Sequence, residues 1–172
     1  MFGKTDALAD DWLQSLIREF DPQMRSQFAE AVCTILENMD ADAATDLWNR
    51  WLRRYWDERV LGRPVRLDQD ELCQMARWPV QLGKVMRDAV DLLMKSPKTR
   101  LQHPLTDKEI GKLEAVCETF PDSVADYLLI VLRGLNHLYE KKAVRQIVAS
   151  LETANVDSKK LTSIRDELLR LH

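Results

Sequence analysis

Glycine and proline are scarce in this chain, five and six among 172 residues, which leaves little material for the repeated tight turns of an all-β fold. Cysteine is scarcer. Cys33, Cys73 and Cys117 stand far apart and are odd in number, so neither a disulfide framework nor a zinc-ligand cluster is suggested, and reduced thiols point to the cytoplasm. Long apolar runs are missing too: the longest, Tyr127 to Leu132, is six residues between Asp126 and Arg133. A membrane-spanning helix needs roughly 20. The opening Met-Phe-Gly-Lys-Thr-Asp has no apolar signal core, and the expectation is a soluble chain with no membrane contact. The net charge is only −3, without the basic excess of a dedicated nucleic-acid-binding domain.

Groups that could converge on a substrate are equally thin. His103, His137 and His172 are scattered, and no phosphate loop, dinucleotide fingerprint, Gly-x-Ser-x-Gly or His-Glu-x-x-His pattern occurs. Cys33 and Cys117 fall on apolar helical faces, where cysteine acts as a small hydrophobe. The carboxylates Asp6, Asp10 and Asp11, and again Asp40, Asp42 and Asp46, sit at helix starts and complement the helix dipole. Their spacing lacks the glycine turn of a calcium loop. No catalytic, cofactor-binding or metal-ligating residue is expected, and the chain reads as a non-enzyme.

What the sequence does contain is helical spacing. Leu8, Trp12, Leu13, Leu16, Ile17 and Phe20 repeat at three and four, and Asp21-Pro22 then reads as an N-cap with proline at the first helical position. Met24, Phe28, Val32, Ile35, Leu36 and Met39 give the next face. A third helix runs from about Ala41 to Arg59, stopped by Gly62 and Pro64. Asp68, with Glu71 at capping-box spacing, starts a short helix through Leu72 and Met75. Trp78-Pro79 starts another, through Val85, Met86, Ala89, Val90 and Leu93. Thr106 with Glu109, Pro121, and Asp157 or Ser158 mark further starts, and Gly134 to Tyr139 is a break. These segments predict an all-α fold of about nine short helices in antiparallel pairs of roughly 35 to 45 residues, an irregular HEAT-like stack or bundle forming one domain over 1–172.

The most distinctive stretch combines Leu47, Trp48, Trp51, Leu52, Tyr55 and Trp56 with Arg50, Arg53, Arg54, Arg59, Arg63 and Arg66. One reading is a basic surface with aromatic platforms that grips phosphates and stacks bases. The other is an aromatic core stripe with a solvated arginine face, paired with Asp57, Glu58, Asp68, Asp70 or Glu71. The spacing favours the core reading, and any of these rings found exposed would mark a contact. The candidate partner contacts are Arg50, Arg53, Arg54, Arg63 and Arg66.

Trp48-x-x-Trp51-x-x-x-Tyr55-Trp56-x-x-Arg59, then Gly62-x-Pro64-x-x-Leu67, Glu71, Met75 and Trp78, resembles an uncharacterised helical domain at the C-terminal end of bacterial multidomain proteins. Ala89-Val90-Asp91, Pro104-Leu105 and Phe120-Pro121 followed by Val124-Ala125 and Leu128 fit the same pattern. The N-terminal part of such proteins is often sirtuin-like and associated with defence against phage. This chain has no such portion and no glycine-rich NAD-binding fingerprint, so NAD hydrolysis does not carry over. The resemblance implies a C-terminal helical module cut from a longer protein. Its expected role is an interaction or sensor module, with the rest of its own chain or a phage component as protein partner. The alternative is nucleic acid bound through the basic-aromatic segment 48–66.

Overall fold

The computed structural model describes residues 11, 12, 15, 18–61, 68–96, 105–138 and 141–171. These residues are helical without strands, and eight helices follow one another after residue 20. The expectation was about nine; the difference lies at the first face, where Leu8, Leu13, Leu16 and Ile17 fall outside the described residues. The helices are α1 (Pro22–Asn38), α2 (41–61), α3 (Gln69–Met75), α4 (78–95), α5 (Asp107–Val116), α6 (Pro121–Gly134), α7 (Lys141–Thr153) and α8 (Ser158–Arg170). No helix among the described residues is long and apolar enough to cross a membrane.

Local chemistry sets the boundaries. Asp21 accepts from the Met24 N–H at 2.8 Å ahead of Pro22, and Asp40 accepts from Asp42 and Ala43 at 3.0 and 2.9 Å. Asp68 and Asp157 cap α3 and α8 in the same manner, each accepting an N–H two residues on. Thr106 and Glu109 close a full capping box at the start of α5. The box expected at α3 does not form, because the Glu71 side chain turns inward instead of back to Asp68.

Two helices are irregular. Within α2, α-helical turns at Ala41–Leu47 and Arg53–Trp56 alternate with π-helical turns at Trp48–Leu52 and Asp57–Leu61. Within α4, Trp78–Gln81 and Met86–Lys95 are joined by a 3₁₀ turn at Gly83–Val85. Gly83 has φ +43°, a left-handed conformation that a side chain would strain, so the glycine fits this joint.

The closest packings skip a helix. α1 lies on α3, α4 on α6, α6 on α8, and α5 on α7, while α4 with α5, α5 with α6 and α7 with α8 make the contacts between sequence neighbours. The core is continuous from Ala29 and Leu36 in α1 to Ile164 and Leu168 in α8. Trp48, Trp56 and Trp78 are completely buried within it. A buried tryptophan hides about 150–250 Å², a gross gain of about 4–6 kcal/mol each.

Candidate functional site

The aromatic stripe of α2 resolves into three different roles. Trp48, Tyr55 and Trp56 face inward with Trp78 of α4; ring centroids lie 6.2 Å apart for Trp48 and Trp56 and 5.8 Å for Trp56 and Trp78, both edge-on. Each indole N–H has a partner: Trp48 donates to Asp88 Oδ2 at 2.8 Å, Trp56 to Ser96 Oγ at 3.2 Å, and Trp78 to the Ala29 carbonyl at 2.9 Å. Buried donors left unpaired would cost more than the bonds yield, so these three partners fix the ring orientations. This is the core reading of the stripe.

Trp51 behaves differently. It is only partly buried, and the Trp12 ring stands edge-on to it with centroids 6.5 Å apart and planes at 87°. Trp12 is 58% exposed. The sequence pattern placed Trp12 on a buried helix face; the structure instead leaves it the one tryptophan mostly in solvent among the described residues. Arg50, which precedes Trp51, and Arg54, three residues after it, are exposed.

The arginines on this surface are charge-paired. Arg50 meets Asp46 at 2.9 Å, Arg54 meets Glu58 at 3.0 Å, and Arg53 reaches Asp88 of α4 at 3.4 Å. Along the outer edge of α2 the row Asp46, Arg50, Arg54, Glu58 thus sums to local neutrality. Arg63 and Arg66 lie outside the described residues.

Arg59 is no surface group. It is fully buried, and its guanidinium grips Glu71 by Nε at 2.7 Å and by Nη2. The same carboxylate accepts from the Tyr55 hydroxyl at 2.6 Å and pairs with Arg25 Nε at 3.5 Å. Burial opposes the Arg59 charge, but the hydrogen bonds and charge of Glu71 outweigh it and raise its pKa. Burial, then the Glu71 charge, drives the Tyr55 hydroxyl far above its ordinary range, so it stays a neutral donor. One carboxylate thus faces two guanidiniums, and Arg59 Nη1 has no partner among the described residues. Arg25 and Glu71 come to this cluster from α1 and α3; the sequence offers Glu71 as an arginine partner, whereas nothing in it singles out Arg25.

A second network ties α1 to α4 and α5. Arg77 bonds Glu109 at 3.0 Å and Glu37 at 3.4 Å; Lys112 donates to the Glu37 carbonyl at 3.4 Å and to Gln81 Oε1. Cys33 lies beside it, and burial pushes its thiol up to about 11, with the nearby Glu37 charge adding to the effect of burial. Burial and the Lys108 charge lower the Lys112 pKa. Burial likewise raises the Cys117 thiol. Among the described residues no cluster of His, Cys, Asp and Glu has the arrangement to hold a metal ion.

Two surface hollows lie at the far end of the molecule. One, of about 240 Å³, is framed by Arg133, Asn136, Glu167 and Arg170, and Arg170 there caps α6 by donating to the Leu132 and Leu135 carbonyls. The other is an apolar groove of about 350 Å³ between α7 and α8.

No curated protein and no solved structure matches the chain. A family profile does match, over residues 5–169, and so reaches into every helix described above. The chain belongs to the family described as Domain of unknown function (DUF4020).

Proposed function

We propose that this chain is a non-enzymatic helical interaction module that binds a protein through the surface around Trp12, Trp51, Arg50 and Arg54. The observation that carries this reading is the largely exposed Trp12 set against a half-buried Trp51, with arginines on either side whose charge is already balanced. Tryptophan and arginine are the residues most enriched at the energetic centres of protein interfaces. A polyanion would need arginines free to displace counterions, and here each described arginine of the patch would first have to leave a carboxylate. The balance therefore favours a protein over nucleic acid. The non-enzymatic part is supported by the buried thiols, held protonated, and by the Tyr55 and Arg59 side chains being consumed in an internal cluster.

The module works in the cytoplasm as the C-terminal part of a bacterial defence protein, its partner the rest of that protein or a phage component. The family resemblance, from about Leu47 to the C-terminus, motivates this context. Alternate packing of α4, α6 and α8 on one side and α5 and α7 on the other supports a HEAT-like layering, which presents long faces to partners. The test is affinity capture of the tagged chain from cells before and after phage infection, repeated with Trp12→Ala combined with Arg50→Ala, Arg53→Ala and Arg54→Ala. A protein held by the wild type and lost by the combined variant supports the reading. Undiminished capture by the variant, or salt-sensitive nucleic acid in place of protein, overturns it.

A further inference from the structure

The groove between α7 and α8 has a floor of buried Val148 and Leu168, and its outer lip is Leu169, a leucine 60% exposed to water. An exposed leucine alone means little, since soluble proteins carry many apolar surface atoms. The charges around this one are more specific. Arg145, Ala149 and Glu152 recur at i, i+4 and i+7 and form one stripe of α7 along the groove. Arg145 has no carboxylate partner among the described residues. Glu152 accepts from Arg165 Nη2 at 2.6 Å through Oε1, which leaves Oε2 open to a second donor.

The stripe is complementary to itself. Arg145 and Glu152 lie four residues before and three after Ala149, about 10 Å apart along the helix. A second α7 crossing antiparallel at Ala149 places Arg145 of each copy against Glu152 of the other. Alanine at the crossing point permits the 8–10 Å approach of packed helices. Leu169 of both copies then closes over the groove from either side. Such a contact has the same patch on both subunits, which is the requirement for a closed two-fold dimer. We propose that the chain forms a two-fold homodimer through the α7–α8 face, with Arg145 and Glu152 as reciprocal cross-dimer pairs. This face stands apart from the Trp12–Trp51 surface, so the two proposals fail separately.

Sedimentation velocity of the full chain across the micromolar range tests it. The wild type dimerises with concentration, and Leu169→Asp weakens the dimer at least about tenfold by placing a charge in the apolar closure. Arg145→Glu and Glu152→Arg each weaken it comparably, because each sets like charges opposite one another. Mixing those two variants restores a dimer between them, since every cross-dimer pair is then opposite in charge. These positions are exposed, and circular dichroism checks that the fold is unchanged. A chain that stays monomeric, a dimer indifferent to Leu169→Asp, or variants that do not rescue one another when mixed would overturn the proposal. Trp12→Ala leaves the dimer intact.

Discussion

Replacing Glu71 by glutamine keeps the shape of the side chain and removes one charge from a site where three other groups depend on it. Arg59 and Arg25 are 1% and 5% exposed, and both guanidiniums reach the same carboxylate. With the carboxylate gone, two positive charges remain buried without a counter-charge. Breaking a buried pair in this manner costs about 3–5 kcal/mol, because the remaining charge keeps its full desolvation penalty. A domain of this size has about 5–15 kcal/mol in total, so the substitution removes a large part of its stability. Urea unfolding followed by circular dichroism reads the change as a drop in midpoint at unaltered slope. Tyr55→Phe removes only a hydrogen bond to the charged group, about 1.5–3 kcal/mol, and its cost shrinks in the Glu71→Gln background because the acceptor has changed. In a Tyr55→Phe background, where no buried hydroxyl loses its acceptor, replacing all three charges together, Arg25→Met, Glu71→Leu and Arg59→Met, leaves no orphaned charge and is neutral or stabilising. A Glu71→Gln midpoint within about 1 kcal/mol of wild type, or a triple variant worse than the single, refutes the argument that charge balance and not volume holds this cluster.

Three further outcomes follow from the same structure. Arg50→Ala and Arg54→Ala each change stability by less than about 1 kcal/mol in urea unfolding, since both pairs are exposed, and so remain usable as surface variants in binding assays. Thr106→Ala loses the capping box of α5 and costs about 1 kcal/mol, measured by the same unfolding curve. The Cys33 thiol has a folded pKa raised from 9.0 to about 11, so folding favours its protonated form: that contribution is complete below pH 9 and is lost as the pH rises from 9 towards 11. Unfolding midpoints taken across this window fall in the wild type and fall less in Cys33→Ala.

The parts of the fold that were legible are those decided within a few residues. Asp21 before Pro22, Thr106 with Glu109, and Pro121 after Phe120 each specify a helix start locally, and each start is where the structure has it. The core role of Trp48, Tyr55 and Trp56 was legible from their helical spacing. So was Glu58 as a partner of Arg54, because four residues is one turn, whereas Asp46, read as a helix-start carboxylate, pairs with Arg50 one turn on. The Arg53–Asp88 pair was not legible, since nothing in either neighbourhood specifies which helix lies opposite. The burial of these charges was not legible for a physical reason. Arg25 belongs to the stripe Arg25, Ala29, Val32, Leu36, and Glu71, readable as a cap residue or an arginine partner, precedes Leu72 on the buried side of α3, yet nothing in either neighbourhood distinguishes a buried charge from one that faces solvent. Only when α1, α2 and α3 are brought together do the two guanidiniums meet their shared carboxylate, and that is a property of the assembled helices. Trp12 shows the reverse error, an aromatic at core spacing that stands mostly in water.

The π-helical turns of α2 explain how its aromatic row stays aimed at α4. Ala44, Trp48, Leu52 and Trp56 are all buried and are spaced by four. In a regular α-helix a spacing of four overshoots the 3.6-residue turn by about 40° at each step, so three steps would carry the row about 120° around the helix. Trp56 would then point well away from the direction of Ala44. At Trp48–Leu52 the ladder switches, and the Arg53 N–H donates to the Trp48 carbonyl five residues back. A turn closed that way takes up more residues and subtracts from the overshoot. The result is visible in the partners: Trp48 bonds Asp88 and Trp56 bonds Ser96, an advance of eight residues on both helices. The two helices therefore run side by side in the same direction with their registers matched. The four-residue spacing stands openly in the sequence, but it distinguishes a drifting α stripe from a straight π-corrected one only when the facing helix supplies a partner to each ring. The same correction leaves Trp51 on the flank of the row, half out of the core, where it meets Trp12. The packing of the interior and the exposure of the proposed contact surface are in this sense one feature of α2.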